Sequence, residues 1–179
     1  MLDAAGVEYE AVRPQVDEDA LKSRLNGAEA IASKLAEAKA SVVGVDRQDD
    51  WAIGSDSVVS VGERRFDKPR SREEAVEHLR FFSGREMRLT SAVALARSGT
   101  IDWTHVDNAV LHVRPLSEAF IDSYLEAEWP EVGFCVGVFR MEGRGVQLFD
   151  RIDGNYFTIL GMPLIPLLGA IRERGLLPA

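Results

Sequence analysis

Trp51-Ala52-Ile53-Gly54-Ser55-Asp56-Ser57-Val58-Val59-Ser60-Val61 reads as a strand with a polar fault in its middle. Its two ends carry the apolar and β-branched residues of a buried strand, yet Gly54 and the pair Ser55-Asp56 interrupt it. Taking a carboxylate out of water is costly unless a cation or a set of hydrogen bonds compensates it. An aspartate in such a position is therefore a candidate for chemistry.

Working upstream, Glu8 to Val12 alternates enough for a short strand, which Pro14 ends before the acidic run Asp17-Glu18-Asp19. Ala30, Ile31, Leu35 and Ala38 then form an apolar stripe at helical spacing, predicting a helix over 28–40 that ends close to Ser41. Downstream, Val61 to Phe66 has the form of a short hairpin. Ser71-Arg72-Glu73-Glu74 reads as a capping box, opening a helix that buries Val76, Leu79 and Phe82 and stops at Ser83-Gly84. Leu89 to Ala96 and Trp103 to Val113 are predicted strands joined as a hairpin at Ser98-Gly99. Leu116-Ser117 opens another helix, with Phe120, Ile121, Tyr124 and Leu125 inward until Trp129-Pro130. Gly133, Gly137, Gly143 and Gly145 mark loop or short strand, and Val146 to Phe149 reads as a strand. Pro163 starts the last helix, with Ile165, Leu168 and Ile171 facing in. Alternating strands and helices, without repeat or linker, indicate one α/β or α+β domain over 1–179.

Composition removes whole classes of function. A formal charge of −8 argues against a nucleic-acid polymer as partner, because that binding displaces phosphate counterions with a basic face. The local cluster Arg64, Arg65, Lys68, Arg70 and Arg72, read alone, is a solvated loop. No apolar run approaches the roughly 18 residues of a spanning helix, so no membrane is expected. The start lacks the basic flank and apolar stretch of a secretion signal, and the expected location is the cytoplasm. Cys135 is the single cysteine and reads as packing, and His78, His105 and His112 form no zinc spacing, so any metal must be held by oxygen. There is no Gly-x-x-x-x-Gly-Lys-Ser/Thr loop, no dinucleotide glycine fingerprint around Gly143-Arg144-Gly145, and no Gly-x-Ser-x-Gly elbow. What remains is carboxylates with lysine. Lys68-Pro69 follows the hairpin, whose return would bring Lys68 toward Asp56, where an ammonium neutralises phosphate oxygens.

Ile53 to Val59, then Asp67-Lys68-Pro69, then a helix ending Phe82-Ser83-Gly84-Arg85 together resemble the central motif series of the Maf family of nucleotide pyrophosphatases. Pro14-Gln15-Val16-Asp17-Glu18, Leu35-Ala36-Glu37-Ala38-Lys39-Ala40, Ser91 to Leu95, Arg114-Pro115-Leu116-Ser117 and Gly161-Met162-Pro163-Leu164 continue the likeness over nearly the whole chain. The resemblance implies an α/β fold, a twisted mixed sheet with flanking helices and two lobes around a central cleft. It implies hydrolysis of a nucleoside triphosphate between the α- and β-phosphates with Mg²⁺ or Mn²⁺, and a homodimer. Carried over residue by residue, Asp56 is the general base or orients the attacking water. Lys68 stabilises charge on phosphate, Glu18 and Asp56 hold the metal, and Lys39, Ser57 and Glu142 contact substrate. Glu142-Gly143 stands where the thymidine- and uridine-preferring branch has Gln-Gly, and Val138 to Phe149 is more similar to the 7-methyl-GTP branch. A carboxylate accepts hydrogen bonds from a guanine edge, so a modified purine nucleotide is favoured.

The family pattern opens with a strand and a serine- and arginine-bearing phosphate loop directly before the segment resembling Leu2 to Val7, so the chain is expected to start one motif late. Either the start codon has been placed late or a phosphate clamp and an inner strand are absent, which would expose sheet edges. The competing reading is a Maf-like nucleotide-binding or division-related protein without turnover. A plain interaction domain would require Glu18, Asp56, Lys68 and Glu142 to be scattered.

Overall fold

In the computed structural model, which describes residues 1–178, the faulted segment is one continuous strand, β1 (Trp51–Val61). A turn at Gly62, whose φ of 59° suits glycine, returns the chain into β2 (Arg64–Phe66), with Val59 opposite Phe66 and Val61 opposite Arg64. Pairing ends at Phe66, and Lys68 lies in the coil beyond it. Strands β3 (Glu86–Arg97), β4 (Thr100–Val113) and β5 (Phe149–Asp153) complete a five-stranded sheet in the order β2-β1-β3-β4-β5. The helices are α1 (Glu18–Lys22), α2 (Ala28–Asp46), α3 (Arg72–Phe82), α4 (Glu118–Glu128), α5 (Tyr156–Ile159) and α6 (Leu164–Glu173). The class is α/β, and the sheet is antiparallel rather than mixed, since tight hairpins reverse the chain at Gly62 and at Ser98-Gly99. Among the described residues no helix is long and apolar enough to cross a membrane.

The chain divides into two compact units. The first comprises Met1–Ser57, Thr90–Asp107 and the residues from Asn155 onward. Its core joins Leu2, Val93 and Leu95 to Leu164, Leu167, Ala170 and Ile171 of α6. Helix α2 continues five residues past its expected end at Ser41 because tertiary contacts override the weak helix preference of Val42 and Val43. The Ser41 hydroxyl donates to the carbonyl of Gly99 at 2.5 Å, and Gly44 sits so close to Gly99 that a Cβ would lie 2.9 Å from its amide nitrogen. The expected strand at 8–12 does not form. Those residues are exposed and belong to no ladder, and alternation without a partner strand makes no sheet. They border a cavity of about 870 Å³ with Trp51, Ile53, Leu95 and Met162, and none of Glu18, Lys39 or Asp56 lines it.

The second unit comprises Val58–Leu89 and Asn108–Gly154, with α3 packed on α4. Helix α3 spans the residues expected of it, capped by the Ser71 hydroxyl, which accepts from the amide of Glu74. The Glu74 carboxylate reaches back to the amide of Arg70, one residue further than a standard capping box requires. Helix α4 is capped likewise by Ser117 and stops at Trp129. The expected strand at 146–149 is instead a 3₁₀ turn, Arg144–Leu148, followed by β5. Gly145 lies against the backbone of Arg140, 2.4 Å from an added Cβ to its oxygen, which folds this stretch into a compact loop before pairing begins. In α6 the inward face is Leu164, Leu167, Ala170 and Ile171, whereas Ile165 is 56% exposed. That face is turned from the expected one because residues 164–171 of the helix carry no charge to mark an outer side, which leaves the periodicity ambiguous.

His78, on the inner face of α3, packs edge-on against Phe66 with ring centroids 5.0 Å apart, and its buried Nδ1 has no hydrogen-bond partner. Burial holds its pKa below the ordinary 6.5, with Arg64 acting the same way against Glu74, Glu77 and Asp67. A histidine held neutral when folded binds its proton more readily in the unfolded chain, so stability falls as pH drops from about 6.5 toward the folded-state value. His78→Leu removes the orphaned nitrogen. It is expected to raise stability by about 1 kcal/mol at mildly acid pH and to flatten the pH dependence of the melting temperature in that window. A slope as steep as the wild type's would show that another group sets it.

Candidate active site

Strand alternation puts Gly54 and Asp56 on one face of β1 and Ser55 and Ser57 on the other. On the first face lies α2, at a distance only glycine permits. A Cβ at position 54 would sit 2.1 Å from the carbonyl oxygen of Ala36 and 2.5 Å from the amide nitrogen of Ala40. The helix answers with small residues, Ala32, Ala36 and Ala40, spaced one turn apart and all fully buried. Close approach of these two backbones lets Lys39 reach Asp56.

The Lys39 ammonium donates to Asp56 Oδ1 at 2.5 Å and lies 2.9 Å from Glu18 Oε1. Glu18 is delivered by the first turn of α1, which Asp17 caps by accepting from the amide of Ala20. The side chain of Asp56 is 13% exposed and that of Lys39 19%, while Glu18 at 42% meets solvent. Burial raises the Asp56 carboxyl above its ordinary range, reinforced by the charge of Glu18, even though Lys39 and Lys22 pull it down. Burial opposes the Lys39 ammonium, but the hydrogen bonds and charges of Asp56 and Glu18 outweigh it and hold Lys39 above its ordinary value. The result is a strongly held cation between two acids, one of them raised above its ordinary range by burial.

The opposite face of the strand is fastened by hydroxyls. The Ser55 hydroxyl lies 2.8 and 2.7 Å from the carbonyl oxygens of Ala92 and Gly161 and shares its one proton between them, and Ser57 lies 2.7 Å from Ser91 and 3.3 Å from the Gly161 carbonyl. Ser91 donates in turn to Thr158, whose hydroxyl donates to Asp107 at 2.6 Å. Gly161 takes a left-handed φ of 100° that presents its carbonyl to both serines. This network escaped the sequence reading. Its serines and Gly161 stood there in three separate motifs, Ile53 to Val59, Ser91 to Leu95 and Gly161 to Leu164, and nothing in any one of them names the others as hydrogen-bond partners.

Lys68 and Glu142 belong to the second unit, and both are exposed. They share a neighbourhood there. Burial pushes the Cys135 thiol up, while the charges of Arg140 and Lys68 lower it and those of Glu142 and Glu131 raise it. Arg140 therefore joins Lys68 as a cation beside the glycine-rich loop, and the sequence reading had not singled it out. The structure thus brings Glu18, Lys39 and Asp56 together directly, and the ammonium that meets Asp56 is that of Lys39.

Among the described residues no group of three or more histidine, cysteine, aspartate or glutamate side chains could cage a metal ion. Glu18 and Asp56 are two oxygen donors directed at one point. That set fits a hard cation of the Mg²⁺ kind, which commonly takes one or two carboxylates and completes its shell with water and substrate phosphates.

The family model for Maf-like proteins matches residues 1–174. The chain belongs to the Maf family. Among its Maf relatives, a protein of Rhizobium meliloti (strain 1021) named 7-methyl-GTP pyrophosphatase is 45% identical over 183 residues, covering all of this chain and 92% of the relative. A Sphingopyxis alaskensis protein named nucleoside triphosphate pyrophosphatase is 42% identical, covering 99% of this chain and 92% of the relative. A Caulobacter vibrioides protein of the same name is 43% identical, covering 99% and 90%. The motifs quoted for the resemblance lie within this matched span.

Proposed function

We infer that this Maf protein is a nucleoside triphosphate pyrophosphatase: it hydrolyses its substrate between the α- and β-phosphates, releasing the monophosphate and pyrophosphate. The observation that carries the reading is the Asp56–Lys39–Glu18 cluster, its aspartate and lysine mostly buried, on a fold whose relatives are named for this reaction. Water attacks the α-phosphorus, a new P–O bond forms, and the bond to the bridging oxygen of pyrophosphate breaks. Asp56 takes the proton of that water or orients it, a task suited to a carboxyl raised above its ordinary range. Glu18 and Asp56 would hold a divalent cation, Mg²⁺ or Mn²⁺, which when bound neutralises phosphate oxygens. Lys68 stabilises the charge developing on phosphate. Lys39 and Glu142 contact substrate. Ser57, whose hydroxyl is engaged by Ser91 and Gly161, joins them only by giving up one of those bonds.

For the base we propose a modified purine, with 7-methyl-GTP the first candidate. Support comes from Glu142, an acceptor for the N–H groups of a guanine edge, and from the relatives named for that nucleotide. The oligomer is read as a homodimer on family resemblance, and the cytoplasm is proposed as the location. The test is pyrophosphate release with Mg²⁺ or Mn²⁺ from 7-methyl-GTP, GTP, dTTP and UTP. Release of pyrophosphate, fastest from 7-methyl-GTP, is the expected result. Orthophosphate in its place, or binding without turnover, would overturn the assignment.

Lys68→Ala is expected to lower kcat/KM by about a hundredfold, with kcat falling and KM rising together, because the ammonium meets phosphate in the ground state and the transition state. Wild-type kinetics would remove Lys68 from the site.

A further inference from the structure

We propose that Lys39 is a built-in placeholder for the divalent cation: its ammonium bridges the two carboxylates assigned to the metal and yields them only when a metal–nucleotide complex arrives. The proposal rests on the assignment of Glu18 and Asp56 to the cation. Asp56 Oδ1 and Glu18 Oε1, carried by β1 and α1, both point at the one Nζ, at 2.5 and 2.9 Å. A cation that uses both oxygens requires the ammonium to leave.

Leaving is unfavourable while no substrate is present. Lys39 is mostly buried on a helix held against β1 by the Gly54 contact, so an ammonium stripped of both acids would remain partly desolvated beside a new positive charge. A free divalent ion thus meets a site whose negative charge is already partly neutralised. Triphosphate changes the balance, because its oxygens accept the hydrogen bonds that Lys39 gives up while adding ligands to the cation. Metal and nucleotide then bind with positive coupling, each raising the affinity for the other. The two carboxylates are thereby protected from stray cations, and the cation enters with substrate.

The test needs no turnover. Mn²⁺ is titrated into the nucleotide-free full chain and followed by calorimetry and by its paramagnetic resonance signal. Lys39→Met, which keeps the length of the side chain and removes its charge, is expected to bind Mn²⁺ at least tenfold more tightly than wild type. Lys39→Arg, which keeps the charge, should stay as weak as wild type. The coupling between Mn²⁺ and an α,β-methylene triphosphate analogue should shrink in Lys39→Met by a similar factor. Equal or weaker Mn²⁺ binding by Lys39→Met overturns the proposal. Should that variant misfold by circular dichroism, Lys39→Gln serves under the same criterion. Adding Asp56→Asn to Lys39→Met should erase the gain, and its persistence would show that the ion binds elsewhere. Pyrophosphate release is measured separately. Failure of the enzymatic reading leaves Mn²⁺ binding unaffected, and failure of the placeholder leaves turnover unaffected.

Discussion

Asp56→Asn is expected to lower pyrophosphate release by about a thousandfold or more while the protein stays folded. General-base catalysis alone accounts for about 10²–10⁴ in rate, and the same substitution weakens the hold on the cation. The fold survives because asparagine has the same shape and its amide oxygen still accepts the Lys39 hydrogen bond, leaving Lys39 paired with Glu18. Burial already disfavours the charged carboxylate, so neutralising it is expected to change stability by no more than about 1 kcal/mol. Steady-state pyrophosphate release and a thermal melt on the same preparation check both halves. Turnover within tenfold of wild type would remove Asp56 from the chemistry, and a collapsed melt would make its role structural.

Gly54→Ala is expected to be the most destabilising single methyl that can be added near the site, at about 3 kcal/mol or more. The added Cβ would meet the carbonyl oxygen of Ala36 at 2.1 Å and the amide nitrogen of Ala40 at 2.5 Å. Both are helix backbone, so no side chain can swing aside, and the relief open to the chain is to part α2 from β1. Parting them withdraws Lys39 from Asp56, so any molecules that still fold should lose turnover too. Gly169→Ala in α6 is the control. Nothing lies within 4 Å of its Cβ, and a helical alanine there should be neutral or stabilise by about 0.5–1 kcal/mol. Denaturant midpoints of the two variants decide the matter, and a Gly54→Ala midpoint close to that of the control would contradict the close-contact account.

The strand around Asp56, the hairpin at Gly62, the capped helix after Ser71 and the helix after Ser117 were legible because each has a local cause: β-branched runs, a turn glycine, a serine oxygen placed to accept an amide. Residues 8–12 misled because alternation signals a strand only where a neighbour supplies the ladder. Helix α2 outran its expected end because Ser41 and Gly44 are satisfied by Gly99, far along the chain. In α6, with nearly every residue apolar, several faces fit the pattern and only packing chose among them.

Of the site, the anomaly of Asp56 was visible in the sequence, since a carboxylate between apolar residues is conspicuous without any coordinates. Its partner was not. Sequence reasoning looked to Lys68, close along the chain, whereas the ammonium in contact is that of Lys39, brought in by a helix that Gly54 allows against the strand. The sequence by itself determined the strand around Asp56, the two serine-capped helices, the family and the unusual acid, because these depend on residue identity and local spacing. Only the tertiary structure decided which base pairs with that acid, that Glu18 shares it, and that serines 55 and 57 fasten the far side of the strand. Contacts of that kind depend on how closely two backbones approach, a distance set by the whole packed core and written in no single segment of the chain.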